Sequence, residues 1–215
     1  MHATRGRLVV LGLLSIAAFV APAGAKPSPS NSEVPRVLTV VGRNVLGEAD
    51  PLGEFRIVVR DLGNYPESGQ IVTLDFSAST DLRLGTDQSP YGTLDCNSRV
   101  LSASAVTGAN GVAVFRVTGR ADHLLGSTSG ALLRVFSDGV LLAFSGVSVA
   151  VLDQDGGGLG PGDLSEVLED LFSSTNPARS DFDGNGVVGP ADLSLWLAAF
   201  FAGGSIHEGS PTTCP

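Results

Sequence analysis

Lysine is almost missing from this chain of 215 residues, since Lys26 is the only one. No Gly-Lys-Ser/Thr follows the glycines at 156–158, 160 and 162, and no strands and helices alternate around them, which excludes a phosphate-binding loop. Histidine is scarce too, at 3 in all, and neither His123 nor His207 sits in an H-E-x-x-H pattern. There is no G-x-S-x-G elbow either, so the common hydrolase constellations are absent. The 2 cysteines, Cys96 and Cys214, are too few and too far apart for a thiolate metal site. With 1 Trp and 2 Tyr, an aromatic platform for carbohydrate has little to be built from. After residue 25 no apolar run reaches the ~20 residues that cross a bilayer.

What is present begins with the first 25 residues. Met1–Arg7 is basic, Leu8 to Phe19 is apolar, and Ala23-Gly-Ala25 is a small-residue cleavage site, the layout of a secretory signal peptide. Export leaves 190 residues, enough for one β domain and a small module. Because Arg5 and Arg7 lie in the leader, the mature net charge is about −11, a poor surface for nucleic acid or anionic membrane. Outside the cell Cys96 and Cys214 have three options: a disulfide with each other, two free thiols, or pairing to another chain.

Residues 26–34 read as a linker and 35–152 as an all-β region. Short apolar runs recur between turns: Val37–Val41, Phe55–Arg60, Ile71–Phe76, Val112–Val117, Leu132–Phe136 and Val140–Val151. Phe55, Ile57 and Val59 alternate with Arg56, Val58 and Arg60, the period of a strand with one buried face. The stretch Val58-Val-Arg-Asp-Leu-Gly-Asn-Tyr-Pro-Glu-Ser-Gly-Gln-Ile-Val72 resembles the strand–turn–strand of bacterial Ig-like, invasin-type domains. Thr107-Gly-Ala-Asn-Gly-Val-Ala-Val-Phe-Arg-Val117 is similar to a hairpin of the same family. That resemblance implies a β-sandwich scaffold and names no ligand.

The densest chemistry lies further on, in Asp181-Phe-Asp-Gly-Asn-Gly-Val-Val-Gly-Pro-Ala-Asp192. A wrapped calcium loop needs side-chain oxygens at its first, third and fifth positions, a backbone carbonyl at the seventh, a carboxylate at the twelfth and a glycine at the sixth. Those places fall to Asp181, Asp183, Asn185, Val187, Asp192 and Gly186. Leu193, Trp196, Leu197, Phe200 and Phe201 follow at helical spacing. The polar stretch 173–180 holds a proline and no apolar period, so the incoming helix of a full EF-hand is not expected.

A weaker copy stands upstream. Asp153, Asp155, Leu159 and Asp163 take the matching places, and Leu164, Val167, Leu168, Leu171 and Phe172 repeat the apolar stripe 29 residues before its second copy. Gly157 replaces the fifth-position amide. Asp163 stands ten residues after Asp153, where Asp192 stands eleven after Asp181, so weaker or absent calcium is expected in the first loop.

Two half EF-hands, each a calcium loop with one helix, resemble the type I dockerin module of bacterial cell-surface and cellulosomal proteins. The resemblance covers about residues 151–203, the module itself is read as 153–203 ahead of a polar tail at 204–215, and the resemblance implies Ca2+ as cofactor and a cohesin-like or other surface protein as partner. Pro161-Gly162 and Pro190-Ala191 stand where such dockerins carry a Ser/Thr pair, so the standard cohesin contact does not carry over.

The expected fold is therefore mostly β: an Ig-like sandwich followed by a small helical module. The two helices are expected to pack on each other through Leu164, Val167, Leu168 and Phe172 against Leu193, Trp196, Leu197 and Phe200. Glu166, Glu169 and Asp170 would then form an acidic outer face. The expected function is secreted, non-catalytic attachment or assembly at the cell surface. Two alternatives stand beside it: an accessory carbohydrate-binding component of a polysaccharide-degrading system, or a glycoside hydrolase using a pair from Asp75, Asp81, Asp87 and Asp95.

Overall fold

A computed structural model of the chain describes residues 26–44, 46–121, 132–173, 177–202 and 213–214. The expected signal peptide at 1–25, His123, and His207 with most of the polar tail lie outside the described residues. The fold is mostly β with few helices. Its strands are β1 (Val37–Val40), β2 (Glu54–Val58), β3 (Val72–Asp75), β4 (Leu82–Leu84), β5 (Gly92–Asp95), β6 (Val100–Ala103), β7 (Val112–Arg116), β8 (Gly119–Ala121), β9 (Leu132–Ser137), β10 (Val140–Leu141) and β11 (Val147–Val151). The helices are α1 (Pro161–Ser173), the single turn α2 (Pro177–Ser180) and α3 (Pro190–Phe201).

One sheet runs in the order β1-β11-β9-β3-β6-β5, with β10 paired to β9, and β2-β7 and β4-β8 form two further pairs. All neighbours are antiparallel except β1 and β11, which run parallel from Val37↔Ser148 to Val40↔Val151. Just past β1, Val41 leaves this sheet and bridges Thr118 near β8. The three sheets bury their inward faces in one cluster that includes Leu38, Phe55, Ile57, Leu74, Leu84 and Phe115. In β2 the alternation read from the sequence holds, with Phe55 and Ile57 buried and Arg56 exposed.

All six apolar runs contain strands, and the last divides into β10 and β11. β4, β5, β6 and β8 carry only three or four residues each, too few for alternation to show in the sequence. The turn at Asn110-Gly111 does not close a hairpin, because β7 pairs with β2 rather than with β6. Gly111 is required there for another reason. Its φ is +70°, and a Cβ would collide with the Val59 carbonyl.

The helices do not keep their apolar faces for each other. Val167 and Trp196 are buried in a second cluster with Val41, Ala49, Ala150 and Leu152 from the β part. Leu164, Leu193, Leu197 and Phe200 pack against that shared cluster. The Trp196 indole donates to the Leu152 carbonyl at 3.3 Å, and its ring stacks on Phe200 at 5.3 Å. Phe172, expected in the helix pair, is 82% exposed, as is Phe201 at 78%. The β part supplies the missing half of the interface, so the stripe's last residues have nothing left to cover.

Cys96 and Cys214 form a disulfide with a Cα–Cα distance of 5.2 Å. The Cys214 amide also donates to the Leu84 carbonyl at 2.8 Å, adding the chain's end to β4. Among the described residues no helix is long and apolar enough to cross a membrane.

Candidate metal centre

Two groups of carboxylates among the described residues can each hold a metal ion: Asp153, Asp155 and Asp163, and Asp181, Asp183 and Asp192. Within each group the ligand atoms lie within 4.8 Å of one another. The last carboxylate of each is fully buried and fixes the loop to its helix. Asp163 accepts the amides of Gln154 and Asp155 on Oδ1 and that of Gly160 on Oδ2. Asp192 does the same for Phe182, Asp183 and Gly189, at 2.7, 3.0 and 2.8 Å. Each thereby closes its loop onto the first turn of the following helix, where negative charge is favoured.

The first carboxylates correspond as well. Asp153 Oδ2 accepts from the Gly158 amide at 3.0 Å and Asp181 Oδ2 from Gly186 at 2.9 Å. Gly156 and Gly158 have φ of +77° and +90°, and Gly184 and Gly186 have +72° and +90°. The two loops thus match residue for residue as far as Gly158 and Gly186. Beyond them Leu159 is buried like Val188, whereas Val187 is 66% exposed. Counting from Asp153 puts Leu159 at the seventh position, but its backbone counterpart is Val188. The residue missing from the first loop is the equivalent of Val187.

The fifth position explains a second difference. Asn185 Nδ2 donates to Asp183 Oδ2 at 2.8 Å, and Asn185 Oδ1 accepts the Val187 amide at 2.8 Å. Gly157 has no side chain to hold Asp155. The Asp155 carboxylate lies over Gly162 instead, so close that a Cβ there would collide with Oδ2.

Electrostatics favour a cation at both loops. Burial, then the neighbouring charge of Asp163, pushes the Asp153 carboxyl up to about 6. Burial also raises Asp163, and burial followed by the Asp192 charge raises Asp181. Asp153 Oδ1 is buried and has no hydrogen-bond partner. A buried acceptor left unsatisfied costs about 1–3 kcal/mol, and a bound cation would satisfy it. The donors in both loops fit a hard metal, three clustered carboxylates in each.

The sequence pattern missed the polar core between the repeats. Asp170, expected on an acidic outer face, is fully buried. Arg179 Nε meets Asp170 Oδ2 at 2.7 Å, a second guanidinium nitrogen meets Oδ1 at 3.1 Å, and Glu166 pairs with Arg179 at 2.7 Å. Glu166 and Asp170 therefore face Arg179, leaving only Glu169 of the three exposed. One signal existed, because Arg179 is the only Lys or Arg after Arg134 and lies among acidic neighbours. Of the acids weighed for hydrolysis, Asp75 is paired to Arg134 at 2.6 Å and Asp95 accepts from Ser98 at 2.7 Å.

Comparison with protein-family models, with curated proteins and with solved structures finds no match to this chain.

Proposed function

We propose that this chain is a secreted, non-catalytic calcium-binding protein, an Ig-like β-sandwich over residues 35–152 joined to a dockerin-like module over 153–203. Each loop–helix repeat takes one Ca2+, and the module serves attachment to a surface partner. The observation that carries the reading is the pair of carboxylate triads, each within 4.8 Å and each at the same place in a duplicated loop–helix unit. Ca2+ accepts about six to eight oxygen ligands in flexible geometry, which suits carboxylates, an amide and carbonyls. Zinc favours His and Cys, which neither loop has.

In the second loop the ion would be held by Asp181, Asp183, Asn185, Asp192 and the Val187 carbonyl. In the first, Asp153, Asp155 and Asp163 would hold it. The bound ion supplies the positive charge that three adjacent carboxylates lack. The test is calorimetry and circular dichroism on chelator-stripped protein. Two ions and a gain of helix signal are expected, and no response at millimolar calcium would sink the reading.

The partner differs from a typical cellulosomal cohesin. Pro161-Gly162 and Pro190-Ala191 replace the hydroxyl pair of that contact, and Leu197 and Phe200 pack against the cluster shared with the β part. Sub-micromolar binding to such a cohesin would overturn this part of the proposal.

A further inference from the structure

Gln154 and Phe182 hold the same place in the two loops, between the first and second carboxylates, and both are buried. Each backbone amide donates to the last carboxylate of its own loop, Gln154 to Asp163 and Phe182 to Asp192. Their side chains differ in destination. Phe182 enters the apolar cluster with Leu159, Val167 and Trp196. Gln154 reaches out of its loop, and its Nε2 donates to Ser180 Oγ at 3.0 Å.

Ser180 is the residue immediately before Asp181, the first carboxylate of the second loop. Its hydroxyl donates to Asp170 Oδ2 at 2.7 Å. Asp170 is held by two nitrogens of Arg179 and has only acceptors to offer, so the hydroxyl proton must point at it. Ser180 can then only accept from Gln154, and the direction of the whole relay is set. One buried side chain thus joins the backbone of the first loop to the entrance of the second, and α1 and α2 clamp the far end.

We infer that Gln154 couples the two loops, so that cation binding at one strengthens binding at the other through the Gln154–Ser180–Asp170–Arg179 relay. A cation in the first loop draws Asp153 and Asp155 toward Asp163 and thereby immobilises Gln154 between them. Its anchored amide then holds Ser180 and Asp181 in the position that the second loop needs. The ordering is reciprocal, because a coupling free energy acts equally in both directions. Gln154 is a positioning residue and touches no cation itself.

This inference rests on the calcium reading, and the experiment separates the two. Calcium is titrated into the full mature chain while the amide resonances of Gly158 and Gly186, one in each loop, are followed by NMR. Asp183→Ala weakens the second loop without touching the first. In the natural sequence it is expected to raise the calcium midpoint at Gly158 by about fivefold or more, the lower end of typical coupling. In a Gln154→Met background the same substitution should shift Gly158 less than about twofold, because the relay is cut while the side-chain volume is kept. Ser180→Ala cuts the relay from the other end and should give the same loss should Gln154→Met fold poorly.

An unchanged Gly158 midpoint in Asp183→Ala overturns the coupling, as does full coupling retained in both relay variants. A response confined to Gly186 overturns it too and leaves the second loop as the calcium site. Silence at both amides removes the calcium reading and the coupling with it.

Discussion

Asp153 carries a cost that its backbone hydrogen bonds only partly relieve, since the residue is 5% exposed and crowded by Asp163. Its pKa rises from 3.8 to about 6. In the metal-free protein the folded state then holds a proton that the unfolded chain releases between about pH 4 and pH 6. Stability falls as pH rises through that window, by on the order of 3 kcal/mol from this residue when the shift is converted at 1.36 kcal/mol per unit. Calcium requires the ionised form, so its affinity falls as pH drops below about 6. Melting curves in chelator and in calcium from pH 4 to 7 should show opposite slopes. Asp153→Asn should flatten the chelator curve and weaken calcium binding in the first loop.

Arg179 illustrates the opposite case, a buried charge that is fully answered. Its side chain is 6% exposed and that of Asp170 is 0% exposed. Arg179→Met would leave the Asp170 carboxylate buried without its cation, at a cost of about 3–5 kcal/mol. Chemical denaturation in calcium should report a loss of that size. Arg179 and Asp170 were not legible as a pair, because nothing in their nine-residue spacing shows that α2 turns the chain back onto α1.

The helices show how far periodicity carries. The spacing of Leu193, Trp196, Leu197 and Phe200 correctly marks the helix α3, and the upstream copy correctly marks α1. It cannot say what covers the stripe. Trp196→Ala should cost about 3–5 kcal/mol and loosen α3 from the β part, since Trp196 is 1% exposed within the shared cluster. Phe172→Ser should change stability by no more than about 0.5 kcal/mol, because that ring is already in water. Thermal denaturation of both variants separates this arrangement from a self-contained helix pair, in which Phe172 would be costly.

The molecule as a whole is closed by its one covalent cross-link, between residues 118 apart in sequence. It ties Cys214, hydrogen-bonded beside β4, to the turn after β5. In the chain-entropy account so long a loop is worth up to about 5 kcal/mol. Cys96→Ser with Cys214→Ser should lower stability by roughly 2–5 kcal/mol in calcium, read by urea denaturation of the double variant against the oxidised parent.

Spacing within about a dozen residues was enough to mark both acidic loops, the carboxylates that cluster in each and the helices that follow, because a wrapped loop draws its polar groups from one short segment. It was enough for the longer strands for the same reason, since alternation is a local property. Tertiary structure alone decided that Asp170 faces Arg179, that Phe172 is left outside while Trp196 is buried against Leu152, and that Gln154 reaches Ser180. It also chose among the three options for the cysteines and placed the first loop's missing residue at Val187. Each of these depends on which distant surface arrives at a given side chain, and burial by a distant surface leaves no period in the sequence.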